Sequence, residues 1–379
     1  MRRTLYTEEH QAFRKAFRAF IDHAAVPHVD AWEEAGTVDR DFIRAAGEKG
    51  FLGFEFGSEY GGLGIEDFRY NATMSEEIVA SGMAGDLFSM QNDIIVPYLR
   101  DLTTAEQQQR WLPAFTRGEC VTALGMTEPG AGSDLAAIKT SARRDGDQVV
   151  LNGQKTFITS GATCDLAIVL VRTGERDGRG TTLVAVEKGT PGFERGQPMH
   201  KIGRKAQDTA ELFFDDCGVP VSNIIGEPGR GFGSAIANLP RERLSIAVTA
   251  MASARHALDL GLGHTRQRHA FGAPLAQLQS VRMQLAEMHT DIAVLQEYVD
   301  RCVLALNDGE LTAAEAAGAK YKATELQWEV LDRVLQLFGG YGYMEEYPIA
   351  RMWRDARIQR IYGGANEVMK DLIGRAVVG

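Results

Sequence analysis

The sequence has only four cysteines, and they are not spaced for a structural role. Cys120, Cys164, Cys217 and Cys302 lie far apart, and no C-x-x-C pair occurs. This spacing excludes a disulfide framework and a zinc site, and it is typical of reduced thiols in a cytosolic protein. No apolar run is long enough to span a bilayer, and no apolar segment follows the basic N-terminal residues as it would in a signal peptide. We therefore expect a cytoplasmic protein without a membrane span or a metal site.

Excess positive charge and several common catalytic motifs are also missing. The 379 residues carry a net charge of −10, which disfavours a nucleic-acid groove or an anionic membrane as partner. A few local arginines still allow a small anionic ligand. The sequence has no G-x-x-x-x-G-K-S/T, G-x-S-x-G or H-E-x-x-H motif, and Gly130–Ser133 lacks the third glycine of a dinucleotide fingerprint. A P-loop, a serine nucleophile elbow and a zinc-protease site are thus excluded.

The first third of the chain has the residue spacing of helices, and the middle third that of strands. Helical spacing begins after Thr7, and further helical stretches are expected at 39–49, 66–82, 85–100 and 104–117. Short β-rich runs follow at 121–126, 147–151, 165–173, 181–187 and 210–214. No helix long enough for a parallel βαβ sheet separates these runs. Asp145-Gly146 and Asn152-Gly153 are hairpin-turn signals, so we expect an antiparallel sheet.

Longer helices return from Gly231 onward. Apolar residues step by three and four from Val281 to Val303, and Thr312 with Glu315 forms a capping box for a further helix that Gly339-Gly340 ends. Long helices with short connections favour a bundle. The sequence therefore predicts an α+β protein with a helical domain at 1–119, an antiparallel β domain at 120–230 and a four-helix bundle at 231–379.

A double glycine interrupts the arginine-rich segment Arg351–Lys370. A helical pattern stops at Gly363-Gly364 and restarts near Asn366. Two glycines let the backbone approach a ligand closely, and the first turn of the new helix offers unpaired N–H groups to an electron-rich group. The alternative is a plain connector between two helices.

Four further clusters combine glycine with polar residues: Ala123–Asp134, Asn152–Gly161, Arg268–Gly272 and Gln336–Gly340. The loop Met126–Ser133 can present N–H groups and a hydroxyl to a flat heteroaromatic ring. Phe157 could cover such a ring, and Thr159 could donate a hydrogen bond to it. A tight β-turn beside a core phenylalanine is the alternative for each cluster taken singly.

Taken together and in this order, the clusters resemble the acyl-CoA dehydrogenase family of flavoproteins over essentially the whole chain. The runs T-E-P-G-A-G-S-D and I-Y-G-G-x-N-E-x-M-K carry most of the resemblance. It implies FAD between the β domain and the bundle, an acyl-CoA substrate, a homotetramer and reoxidation by an electron-transfer flavoprotein. The L-P-x-E-R-L and E-Y-P-I-A pieces are most similar to the long-chain and isovaleryl types.

The resemblance also implies residue roles. Met126, Thr127, Phe157 and Thr159 would contact the flavin ring, and a neighbouring subunit would hold the nucleotide. The complete set of cofactor positions implied is Leu124, Met126, Thr127, Ser133, Phe157, Thr159, Arg268, Phe271, Gln279, Gln336, Gly339, Gly340, Ala365 and Glu367. The positions implied for the substrate are Ser133, Arg243, Gly363 and Gly364.

The catalytic base implied by the resemblance is Glu242. Many family members carry Glu where this chain has Gly363, but the long-chain and isovaleryl types place it on an earlier helix, which here carries Leu239-Pro-Arg-Glu-Arg-Leu244. Removal of an α-proton beside a thioester requires a positioned carboxylate. The amide of Gly363, with a flavin ribityl hydroxyl, would then bind the thioester oxygen. Without the family, Glu242 would be interpreted as a surface residue paired with arginine; Glu345 and Glu367 are poorer candidates.

Two departures from the family pattern leave alternatives open. Pro240 stands where many members carry an aspartate that holds CoA, and Ala365 replaces a common threonine. A carrier-protein thioester therefore stays possible beside acyl-CoA. A flavin-dependent monooxygenase or oxidase and a catalytically silent partner-binding module are further alternatives. Gly82 and Gly85 hint at room for an acyl chain, but the sequence does not specify its length.

Overall fold

The chain folds into a helical region, a β region and a second helical region, in the order expected. The computed structural model describes residues 3–83, 87–174 and 180–379. The last helix of the first region ends at Thr116, the first strand begins at Thr122, and the second helical region begins at Gly231. The domain limits at 119/120 and 230/231 stay predictions.

In the first region, helices pack around a cluster of aromatic side chains. Helices α1 to α6 span, in order, Glu8–Ala24, Val29–Ala35, Arg40–Glu48, Phe68–Ala80, Val96–Asp101 and Ala105–Thr116. The helix expected at 85–100 is π-helical over Ser89–Ile95 before it continues as α5, and its residues 85 and 86 lie outside the described part. Short π-helical segments are frequent at functional sites.

The β region is one mixed sheet. Strands β1 to β8 span, in order, Thr122–Gly125, Ser141–Asp145, Gln148–Thr159, Leu166–Arg172, Thr181–Glu187, Phe193–Arg195, Thr209–Pro220 and Ile224–Ile225. The order across the sheet is β6-β7-β3-β2-β4-β5-β8, and β1 lies beside β4. Most neighbours are antiparallel, as expected, but β1 and β2 both run parallel to β4. The expected runs omit β2, β6 and β8, which are short or highly polar.

One of the two expected hairpin turns is wrong. Asp145-Gly146 does connect the antiparallel strands β2 and β3, but Asn152-Gly153 lies inside β3 at a register shift against β7. Gly153 has φ +139°, and a Cβ there would lie 2.7 Å from Cα of Thr140. Bulges and hairpin turns both use glycine in conformations that other residues avoid, so the dipeptide alone does not distinguish them.

In the second helical region, the first and longest helix packs against the three helices that follow it. Helices α7 to α11 span Gly231–Gln267, Gln279–Asn307, Ala313–Phe338, Pro348–Ala356 and Asn366–Val378, and the short strands β9 and β10 span His269–Ala270 and Ala273–Pro274. The expected apolar stripe of α8 is buried, and Thr312 and Glu315 form the expected capping box of α9. Helix α7 packs along α9 and also against α4. It therefore joins the bundle to the first helical region.

Candidate active site

Glu242 lies inside the protein on α7. Its exposed fraction is 6%, so the interpretation as a surface residue is wrong. The hydroxyl of Tyr98, on α5, donates a hydrogen bond of 3.2 Å to its Oε1. Burial raises the pKa of Glu242 to about 7, although the Tyr98 hydrogen bond and the charge of Arg243 oppose this shift. The carboxyl group thus titrates near neutral pH, where it can exchange protons efficiently.

The Gly363-Gly364 turn lies against the same stretch of α7. The two glycines have φ +64° and +93°. A Cβ at Gly363 would lie 2.5 Å from Cδ1 of Ile246, and one at Gly364 would lie 2.6 Å from Cε of Met369. Since Ile246 follows Glu242 by one helical turn, the backbone of Gly363 comes close to the helix face that carries the carboxylate.

Side chains hold the carbonyl groups of this turn and leave an amide available. Arg243 donates from Nε to the carbonyl of Gly363 at 3.3 Å, and Lys320 donates from Nζ to the carbonyl of Gly364 at 2.8 Å. Among the described residues, the N–H of Gly363 has no acceptor. An unpaired backbone donor beside a carboxylate is suited to binding a ligand oxygen.

Lys320, which the sequence analysis did not single out, supports the glycine turn through hydrogen bonds. It is fully buried on α9, and its Nζ also donates to Oδ1 of Asn366 at 2.9 Å. Asn366 in turn donates to Thr324 and Glu325. Burial, followed by the charge of Arg243, lowers the pKa of Lys320 to about 8. This network fixes the start of α11 and hence the glycine turn before it.

A buried ion pair fixes the expected flavin loop at Met126–Ser133. Nζ of Lys155 lies 2.8 Å from Oε1 of Glu128 and donates to the carbonyl of Met126 at 3.2 Å. Glu128 also accepts from the backbone N–H groups of Lys139 and Thr140. Burial lowers the pKa of Lys155 to about 8, but Glu128 opposes the shift. Neither residue was singled out in the sequence, since a buried lysine has no distinctive local pattern.

Phe157 is exposed rather than part of the core. Its exposed fraction is 68%, and its φ of +57° is unusual for a bulky residue. The N–H of Thr156 donates to the carbonyl of Thr127, which brings this part of β3 beside the loop. Thr127 and Thr159 are half-buried, and Leu124 is buried on β1. Six expected cofactor positions thus belong to β1, β3 and the loop between β1 and β2, where Ser133 is exposed.

The remaining expected cofactor positions lie elsewhere. Arg268, Gly339 and Gly340 line a cavity of about 400 Å³ at the end of α9. Phe271 is 95% exposed between β9 and β10 with φ +52°, while Gln279 begins α8 and Gln336 is exposed near the end of α9.

These distal positions are not connected to the flavin loop within one chain. Among the described residues, no hydrogen bond or ion pair joins them to the positions around Met126 and Phe157. Ala365 caps α11, and Glu367 is exposed in its first turn. The positions expected to hold the cofactor therefore lie in separate parts of one chain.

The other candidate bases are poorly placed. Glu345 is exposed and forms an ion pair of 2.6 Å with Arg354. Glu367 is also exposed, and it lies on α11 rather than on the buried face of α7. Of the three glutamates considered from the sequence, only Glu242 is buried.

A cavity of about 310 Å³ lies further along α7. Thr249 and Ser253 line it, and so does Gly82, in agreement with the expectation that this glycine leaves room. Gly85, the second glycine of that expectation, lies outside the described residues.

The described residues lack two kinds of feature. None of their helices has the length and apolar character needed to cross a membrane. None of their His, Cys, Asp and Glu side chains form a group of three that could hold a metal ion.

Three family models match successive parts of the chain. The acyl-CoA dehydrogenase N-terminal domain matches residues 7–119, the middle domain matches 123–217, and the C-terminal domain matches 229–378. The three matches follow the order of the helical, β and helical regions.

Individual proteins and structures are similar over nearly the whole chain. The long-chain specific acyl-CoA dehydrogenase of Rattus norvegicus mitochondria is 43% identical over 379 residues, covering 99% of this chain and 88% of that protein. The crystal structure of an acyl-CoA dehydrogenase from Geobacillus kaustophilus is 44% identical, with a TM-score of 0.96 and 98% of each chain covered. A glutaryl-CoA dehydrogenase from Mycobacterium smegmatis, solved in complex with FADH2, is 26% identical with a TM-score of 0.91, covering 99% of this chain and 96% of that one.

The resemblance, the fold and the cofactor expected from the sequence are therefore confirmed. The buried carboxylate and the glycine turn with an available amide lie in the part that the C-terminal model matches, and the loop suited to a heteroaromatic ring lies in the part that the middle-domain model matches. The chain belongs to the acyl-CoA dehydrogenase family of FAD-dependent oxidoreductases.

Proposed function

We propose that the protein dehydrogenates an acyl-CoA thioester to a trans-2-enoyl-CoA, with Glu242 as the base that removes the α-proton. The observation that carries the proposal is the burial of Glu242, whose pKa of about 7 suits proton abstraction at neutral pH. Tyr98 orients the carboxylate through its hydrogen bond. Bound FAD would supply the two-electron oxidant for the step, with its N5 as the acceptor of the β-hydride.

Gly363 is the second catalytic residue in this proposal. Its N–H would donate to the thioester oxygen as negative charge develops during proton removal. Arg243 and Lys320 hold the neighbouring carbonyl groups, so the amide keeps its direction without reorganisation. Loss of a donor of this kind typically raises the barrier by about 3 kcal/mol. Direct contacts of Arg243, Ser133 and Gly364 with CoA are further parts of the proposal.

The residues around the loop suit a flavin. Phe157 offers an exposed aromatic face, and the half-buried hydroxyls of Thr127 and Thr159 offer hydrogen bonds to ring heteroatoms. Met126 is half-buried, and its backbone carbonyl is held by Lys155. These four residues would hold the isoalloxazine ring, and Ala365 and Glu367 would lie at the adenosine end.

We place the distal cofactor positions in a neighbouring subunit of a homotetramer. Arg268 would pair with the pyrophosphate there, together with Phe271, Gln279, Gln336, Gly339 and Gly340. The separation of this set from the flavin loop within one chain supports the arrangement. The exposed Phe157 supports an electron-transfer flavoprotein as acceptor, because the cofactor edge would lie near the surface. Four unpaired cysteines support a cytoplasmic location.

Anaerobic mixing with a panel of acyl-CoAs tests the proposed function. We expect at least one straight-chain acyl-CoA to bleach the flavin absorbance and to yield the 2-enoyl thioester. Rapid hydrogen-peroxide formation by the reduced protein would instead indicate an oxidase. If no acyl-CoA bleaches the flavin, a carrier-protein thioester becomes the next substrate to test, and a catalytically silent binding protein is the remaining alternative.

A further inference from the structure

Glu242 lies on a turn of α7 that the helix itself holds weakly. Pro240 is inside α7, and a proline in a helix interior removes one backbone hydrogen bond and kinks the helix. Arg241 and Ser245 flank Glu242 on this turn, and they are four residues apart, so they share one face of α7. The contacts of these two side chains therefore contribute to the position of the carboxylate.

Both side chains bond to the π-helical segment Ser89–Ile95. Ser245 donates from its hydroxyl to Oδ2 of Asp93, and Arg241 donates from Nε to the carbonyl of Asp93 at 3.2 Å. Asp93 and Ser245 are only 2% and 1% exposed. Hydrogen bonds to a carboxylate are about twice as strong as those between neutral groups. The Asp93–Ser245 contact thus ties α7 to the π-helical segment.

Other buried groups fix the π-helical segment from its opposite side. Asn71, on α4, donates from Nδ2 to Oδ1 of Asp93 at 2.7 Å. Asn92 accepts from the N–H of Gly53 at 2.9 Å and donates to the carbonyl of Phe51 at 2.9 Å. Asp93 is therefore a fixed point against which α7 is held.

The same helical stretch carries Tyr98, the hydrogen-bond donor to Glu242. Tyr98 follows Asp93 by five residues, and α5 continues the π-helical segment without a break. A π-helical turn contains about one residue more than an α-helical turn, so it rotates the residues after it by about 100°. The direction of the Tyr98 side chain therefore depends on this segment, and the Asp93–Ser245 contact determines how the segment meets α7.

We propose that Asp93 and Ser245 are positioning residues for Glu242, because their hydrogen bond keeps the carboxylate aligned with the hydroxyl of Tyr98. The inference rests on the proposed function, in which Glu242 is the base, and adds two residues to it. Neither residue contacts the substrate in this role. Without their bond, α7 can shift at Pro240, and the alignment is lost.

Removal of the Ser245 hydroxyl changes geometry and leaves the surrounding charges in place. The charged and titratable groups on this turn of α7 and on the elements packed against it are Arg241, Arg243, Tyr98, Asp93, Glu55, Arg100 and Lys320. Ser245→Ala alters none of them. A change in the pKa of Glu242 in this variant therefore reports a change in its alignment with Tyr98.

The pH dependence of turnover tests the inference in the holoenzyme, with a dye as electron acceptor and the straight-chain acyl-CoA that bleaches the native flavin fastest. Ser245→Ala should weaken the bond from Tyr98 and so raise the pKa of Glu242. The rising limb of kcat/KM should move up by about half a pH unit, and kcat/KM below the limb should fall about threefold, part of the value of one hydrogen bond. Ser234→Ala, at a half-buried serine of the same helix, is the control and should leave the limb in place.

A second background separates positioning from a general weakening of α7. Tyr98→Phe removes the bond whose geometry the Asp93–Ser245 contact holds. Ser245→Ala should therefore move the rising limb in the native background but not in the Tyr98→Phe background. A general effect on the helix would lower kcat/KM in both backgrounds without this difference.

The outcomes separate the inference from the function on which it rests. An unchanged limb in Ser245→Ala, or an equal shift in both backgrounds, would overturn the positioning role while the proposed function stands. Glu242→Gln tests the function separately. If that variant turns over at the native rate, or if no acyl-CoA is oxidised by the native enzyme, the proposed function and the inference are overturned together.

Discussion

A side chain at position 363 would collide with Ile246. The Cβ that any residue other than glycine carries would lie 2.5 Å from Cδ1 of Ile246, and Gly363 has φ +64°. The position where many relatives carry their carboxylate is therefore closed in this chain. Glu242, one turn before Ile246 on α7, provides a buried carboxylate in its place.

The contact predicts a coupling between the two residues. Gly363→Ala should lower the free energy of unfolding by about 2 kcal/mol or more, through backbone strain and overpacking. In an Ile246→Ala background, the same change should be less destabilising by about 1 kcal/mol, because the clash is relieved. Thermal unfolding of the four proteins of this cycle measures the coupling. Strictly additive effects would show that the two side chains do not compete for space.

The pH dependence of turnover should report the titration of Glu242. The base must be ionised, and burial raises its pKa to about 7, so kcat/KM should rise with pH and level off above about 7. The hydrogen bond from Tyr98 lowers this pKa, so Tyr98→Phe should shift the rising limb to higher pH. Below pH 7 the variant should lose about fivefold in kcat/KM, the value of one hydrogen bond. Tyr343→Phe, at an exposed tyrosine, is the control and should leave the profile in place. An unchanged rising limb in Tyr98→Phe would show that Tyr98 does not lower the pKa of Glu242.

Ionisation of Glu242, which activity requires, lowers the stability of the folded state. The pKa of Glu242 is raised from 4.5 to about 7, so the folded state binds this proton more tightly than the unfolded state. The protonated carboxyl group therefore stabilises the folded state by about 3 kcal/mol below pH 4.5, and this stabilisation is lost as the pH rises to about 7. Glu242→Gln lacks this loss. Its Tm relative to the native protein should increase between pH 5 and pH 8; a constant difference would contradict the raised pKa.

Lys320 should act through the glycine turn rather than through charge alone. Lys320→Met removes the hydrogen bonds to Gly364 and Asn366. The variant should lower kcat by about tenfold or more and change KM less, because the amide of Gly363 loses its direction. Lys322→Met changes an exposed lysine of the same helix and should match the native enzyme. Equal losses in both variants would indicate a general effect on α9. Steady-state kinetics with one acyl-CoA provide both parameters.

The sequence correctly predicted those features of the helices that depend only on residues close together in the chain. The apolar stripe of α8, the capping box at Thr312 and the end of α9 before Gly339 depend on neighbouring residues only, and all three are confirmed. Asn152-Gly153 was misassigned as a turn because a bulge has the same local requirement for glycine.

The parts of the site that the sequence did not predict depend on contacts between residues distant in sequence. Tyr98 bonds to a residue 144 positions away, and Lys320 bonds to residues 44 and 46 positions away. Nothing near Tyr98 in the sequence marks it as a partner of Glu242. The burial of Lys155 and Lys320 also follows from tertiary packing, since lysine is otherwise mostly exposed.

The most direct measurement compares anaerobic flavin bleaching by one acyl-CoA in the native protein, in Glu242→Gln and in Glu297→Gln, which changes an exposed glutamate of α8. The native protein and Glu297→Gln should bleach at the same rate. Glu242→Gln should bind the acyl-CoA, seen as a perturbed flavin spectrum, but bleach about a thousandfold more slowly. Bleaching of Glu242→Gln at the native rate would show that Glu242 is not the base.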